Sequence, residues 1–171
     1  LKPAGENGTW FQEVPLHEAE VVKAGTSFTL IRDDGSEISL GFLTQITIRA
    51  AADLPAMVQA PLAFRGYCAP EAMVEVRGKV VVCFNTRRHG QTTSAGRVEA
   101  ARAAGALGIV QVDDPGFTIE PPRWPAAYAR TVTFADAEPA GRTLPAMTLS
   151  AEAFATLVAG SGQDAAQILA D

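Results

Sequence analysis

The sequence predicts a mixed α/β domain, rich in β-structure, with a sheet core and two flanking helices. Three observations carry that expectation. In Gly78 to Phe84, three consecutive valines with Cys83 and Phe84 form a continuous apolar run after Gly78-Lys79, as expected of a strand buried on both faces. Arg97 to Val112 opens as an Ala-rich helix and closes as a second apolar strand, so 77–114 reads as strand–loop–helix–strand. Such a crossover pairs its two strands in parallel with a right-handed connection. Glu20 to Ile48 alternates like a β-meander.

The chain has 171 residues, the size of one domain with short extensions. Its hydrophobic content of 47% is enough to bury a core. The net charge of −5 argues against nucleic acid and against an anionic membrane surface as partners. No apolar run approaches the roughly 18 residues that span a bilayer. The first residue is Leu1, which predicts a chain that starts inside a longer product.

Taken in order, residues 1–19 read as a flank: Asn7-Gly8 makes a turn, and Thr9 to Leu16 is extended. Asn7-Gly8-Thr9 also fits a glycosylation sequon, although the turn accounts for it. Thr26 to Ile31 and Glu37 to Leu40 alternate around Asp34-Gly35, the favoured dipeptide of a tight hairpin. Thr44 to Ile48 continues the meander, and Ala60 to Phe64 enters the sheet ahead of Arg65-Gly66-Tyr67. A helix is predicted over 94–104, with Ala95, Val98, Ala101 and Ala104 on the packed face and Arg97, Glu99 and Arg102 on the polar one. Gly105 stands where a left-handed C-cap belongs. The stretch 113–130 is a Pro-rich loop whose Trp124 and Tyr128 either fold back onto the core or present a contact surface. Thr131 to Phe134 and Leu144 to Leu149 are short strands. Ser150 caps a helix whose Phe154, Leu157 and Val158 face inward, and 163–171 is a short exit helix.

Chemistry-bearing residues are sparse. The two histidines, His17 and His89, lie in no zinc-binding motif. Cys83, inside an apolar strand, reads as a small buried hydrophobe, and Cys68 as a loop residue. A Cys68–Cys83 disulfide is the less favoured alternative, because its geometry is demanding. A thiol enzyme built from one of these cysteines and His89 is disfavoured by the burial expected of Cys83. Arg87-Arg88-His89 forms a basic cluster after the C-terminal end of the central strand, where α/β sheets bind ligands. Arg87, Arg88, His89, Trp124 and Tyr128 are therefore the candidate peptide or partner contacts.

Gly78-Lys79 before the apolar strand, the arginines after it, Ala103-Ala104-Gly105-Ala106 closing the helix, Gly108-Ile109-Val110, and later Leu144-Pro145-Ala146 followed by Ser150 resemble the protease-associated domain over about 60–160. Independently, residues 1–16 resemble the segment that leaves the catalytic domain of two-zinc aminopeptidases just before an inserted domain of this family. The resemblance implies a β-sheet core or partly open barrel with two flanking helices, and a non-catalytic accessory module of a secreted or periplasmic exopeptidase. Residues 20–160 would form the module, with 1–19 and 161–171 leading from and back to the peptidase. Its partners would be that catalytic domain and, through the candidate contacts, peptide substrates. Zinc is expected in the catalytic domain, and no catalytic or zinc-binding residue is carried over to this chain. The competing expectation is a free-standing small-molecule or anion-binding α/β domain.

Overall fold

The structure is a computed structural model describing residues 3, 5–86, 89–114, 130–135 and 143–170. Its core is a five-stranded sheet of β4 (Ile46–Ile48), β5 (Leu62–Phe64), β6 (Val80–Asn85), β7 (Gly108–Asp113) and β9 (Ala146–Leu149). The spatial order is β4-β9-β7-β6-β5. All neighbours are parallel except the antiparallel pair β4–β9. Two antiparallel ribbons lie beside the sheet. One joins β1 (Leu16–Glu20) to β8 (Arg130–Phe134), the other β2 (Phe28–Ile31) to β3 (Glu37–Leu40). The helices are α1 (Ser94–Ala103), α2 (Ala151–Val158) and α3 (Ala165–Ala170). This is the mixed, β-rich α/β architecture expected from the sequence, with an open sheet.

Burial on both faces explains why β6 and β7 are apolar without alternation. Val81, Cys83 and Ile109 pack with Ala101, Val98 and Ala104 of α1 on one face. Val80, Val82, Phe84, Val110 and Val112 pack with Phe154, Leu157 and Ile168 of α2 and α3 on the other. The small side chains of α1 allow it to lie close to the sheet. Its start is capped by Thr93, whose Oγ1 accepts the Gly96 N–H at 3.1 Å. Its end is released through Gly105 at φ 79°, a conformation that favours glycine.

Ser150 caps α2 as expected, its Oγ accepting the Ala153 N–H at 3.1 Å. At the other end, Arg32 of the β2–β3 hairpin donates to the carbonyl of Thr156 at 3.0 Å and to that of Ala159. A cation on the last carbonyls satisfies orphan acceptors and suits the helix dipole. Ser150→Ala should cost about 1 kcal/mol and lower Tm by about 2–4 °C in a calorimetric melt.

Three expectations need correction. The stretch from Glu20 to Ile48 is not one meander. The β2–β3 hairpin stands alone, and β4 crosses to the sheet edge beside β9, because Ile46 and Thr47 are both buried and need covering on two sides. Arg97, assigned to the solvent face of α1, is fully buried. Cys68 and Cys83 are joined in a disulfide with Cα atoms 5.5 Å apart. The left-handed turn at Gly66 and Cys68, closed by the Cys68 N–H donating to the Arg65 carbonyl at 2.9 Å, brings the loop after β5 back onto β6, where the Phe84 N–H donates to the Gly66 carbonyl at 2.9 Å. Both cysteines are fully buried, so Cys83 is indeed a core residue, but a cross-linked one.

Candidate functional site

The apolar rows of β6 and β7 turn polar at their C-terminal ends. Side chains alternate along a strand. Asn85 therefore continues the row of Val81 and Cys83, and Gln111 that of Ile109, both toward α1. Arg97 lies one helical turn before Ala101, on the helix face that meets these rows. Its Nε donates to Gln111 Oε1 at 3.1 Å and its Nη2 to Asn85 Oδ1 at 2.8 Å, while Nη1 donates to the Thr92 carbonyl. Ser94 Oγ also donates to Gln111 Oε1, at 2.9 Å. Asn85 Nδ2 reaches Asp113 Oδ1 at 3.5 Å, which links the cluster to a carboxylate.

Among the described residues the partners of Arg97 are thus all neutral oxygens, and burial lowers its pKa below the ordinary guanidinium value. Beside it opens a pocket of about 350 Å³ lined by Asn85, Thr86, Gln91, Thr92, Thr93 and Ser94. It lies past the carboxyl ends of parallel strands and at a helix N-terminus, a location where α/β folds receive polar ligands. The arrangement can hold a loop rigidly and offer hydrogen bonds.

The cysteines are both oxidised to the disulfide, so neither sulfur is a thiol for nucleophilic catalysis. His17 is exposed on β1, opposite Thr133. Among the described residues no three His, Cys, Asp or Glu side chains converge as a metal site.

Of the predicted contacts, His89 stands exposed on a turn beside the pocket-lining loop. Arg87, Arg88, Trp124 and Tyr128 lie outside the described residues. Arg97 is the residue that sequence reasoning missed. Its signal was Gln111, a polar side chain inside an otherwise apolar buried strand, since a buried amide requires a partner.

Comparison with known proteins agrees with this architecture. The family model described as "PA domain" matches residues 52–157. No curated protein matches the sequence. Among solved structures, the aminopeptidase from Aneurinibacillus sp. strain AM-1 is similar with a TM-score of 0.51 at 12% identity. The match covers 88% of this chain and 32% of that one, so this chain spans about a third of the aminopeptidase. At this identity the likeness is one of fold.

Proposed function

Because the chain belongs to the PA domain family, we propose that it is the non-catalytic accessory domain of a zinc exopeptidase of the aminopeptidase kind. In this reading it borders the catalytic cleft and modulates substrate access or peptide contact. The observation that carries the reading is the structural match. Nearly all of this chain, 88%, is similar to a minor part, 32%, of an aminopeptidase, which leaves most of such an enzyme for catalysis. The partner is then the catalytic domain of the parent chain, reached through 1–19 and 161–171. Zinc belongs to that domain.

Secretion, or export to the periplasm, is supported by the Cys68–Cys83 disulfide, since such bonds persist in oxidising compartments. Among the described residues no helix is long and apolar enough to cross a membrane.

Replacing 20–160 of the parent enzyme by a short Gly-Ser linker tests the role in access. The expected result is a changed ratio of kcat/KM between dipeptides and longer peptides. An unchanged ratio in a folded, zinc-loaded enzyme would contradict it.

A further inference from the structure

Among the described residues the strand β5 ends the sheet, with β6 on one side and no strand on the other. Its ladder to β6 uses alternate residues. The Val80 N–H donates to the Pro61 carbonyl at 2.9 Å, and the Arg65 N–H donates to the Val82 carbonyl at 3.0 Å. Ala63 stands between them, opposite Val81. Leu62 and Phe64 therefore direct their backbone groups away from β6. The Phe64 carbonyl is taken by Arg65 Nη1 at 2.8 Å. The Leu62 N–H, the Leu62 carbonyl and the Phe64 N–H remain open at the edge, with no hydrogen-bond partner among the described residues.

Side chains on this edge are apolar and half in water. Leu62 is 41% exposed and Phe64 42%. Both stand on the α2 side of the sheet, opposite Val80 and Val82. The Phe64 ring meets Phe84 at 5.2 Å and Phe154 at 6.1 Å between centroids. The hydrophobic layer under α2 thus runs out to an open strand edge. At the C-terminal end of β5, Arg65 is held in place by donating to the Val74 carbonyl at 3.2 and 2.9 Å. It has no carboxylate partner among the described residues.

We propose that this edge is a peptide-binding site, at which an extended peptide adds to the sheet beside Leu62–Phe64 as a sixth strand. Main-chain hydrogen bonds to Leu62 and Phe64 supply sequence-tolerant affinity. An apolar peptide side chain covers Leu62 and Phe64. A peptide carboxylate complements Arg65. A peptide fits better than a second copy of the chain. An edge of three residues cannot bury the roughly 1,000 Å² that a stable protein interface needs, and each copy carries a net charge of −5. Open edges are a hazard that folds usually limit, and here Pro61 directly before the strand keeps the edge short. The proposal goes beyond the accessory-domain reading. It concerns a different element from the 87–89 loop and holds or fails without reference to a parent enzyme.

The test is an NMR titration of the 15N-labelled chain with a heptapeptide alternating valine and threonine and ending in a free carboxylate. Saturable shifts centred on the Leu62, Phe64 and Arg65 amides are expected. Leu62→Pro deletes the edge donor while leaving the ladder bonds of 61, 63 and 65 in place, and should weaken binding by about tenfold or more. If that variant does not fold, the wild-type chain with a peptide N-methylated at alternate positions decides, and its binding should be lost. Absence of shifts at millimolar peptide, shifts centred on the pocket beside Arg97, equal binding of the N-methylated peptide, or edge pairing of two copies in sedimentation would each overturn the proposal. None of these results bears on the kinetics of the parent enzyme, so the two readings fail separately.

Discussion

Replacing Cys68 and Cys83 together by alanine lowers the stability of the domain by about 3 kcal/mol, the cost of releasing a loop of this size in the unfolded chain. The bond closes a separation of 15 residues and ties the turn after β5 to the middle of β6. In a chain of this length the change corresponds to a Tm lower by about 6–12 °C. The loss comes from the cross-link and from the small void left where both sulfurs are fully buried. A calorimetric melt of the double variant against wild type measures it. A Tm within about 1 °C of wild type would show that the loop is held by its packing alone.

Arg97→Ala should cost a comparable amount, about 3 kcal/mol. Deleting the guanidinium withdraws donors from Gln111, Asn85 and the Thr92 carbonyl at once. A buried acceptor left without a donor costs about 1–3 kcal/mol. Gln111 keeps the Ser94 hydroxyl, and the adjoining pocket admits water, so the three losses do not add in full. Arg97→Lys retains the charge but not the planar fork, and should recover less than half of the loss. Urea unfolding of both variants checks the order, wild type above lysine above alanine. Hydrogen exchange adds a local readout, because the amides at the start of α1 should exchange faster in the alanine variant. A lysine variant as stable as wild type would mean that charge, rather than the forked geometry, organises this end of the sheet.

The parts of the fold that could be read from the sequence are those whose cause is local. The runs in β6 and β7 are continuous because both faces are covered, so their burial is written in every residue. The hairpin turn at Asp34-Gly35 and the Ser150 cap are decided within a few positions, and both occur, with Gly35 at φ 79° and Ser150 accepting the Ala153 N–H. The elements that escaped are those whose partners lie far along the chain. Nothing local in Leu16 to Glu20 reveals that Leu16 faces Phe134. Nor does the stretch at Ile46 reveal that Leu149 is its neighbour.

Burial of Arg97 is of the same kind. An arginine on an Ala-rich helix looks solvent-facing until Asn85 and Gln111 are placed beneath it by two different strands. The disulfide is not legible in the sequence because a loop residue and a strand residue reveal no distance, whereas the turn at Gly66 and Cys68 brings the two together. Of the candidate contact residues, the described structure includes His89 alone. Its exposure suits a contact and equally suits a solvated turn.

As proposed, the chain is an accessory domain without catalysis of its own. The most direct measurement is turnover by the purified chain on a panel of aminoacyl and dipeptide substrates, with and without added zinc, together with a thermal melt under both conditions. The expected result is no turnover and one cooperative melt that zinc does not shift. Zinc-dependent turnover would contradict it, and would mean that His17, His89 and carboxylates of this chain converge on a metal.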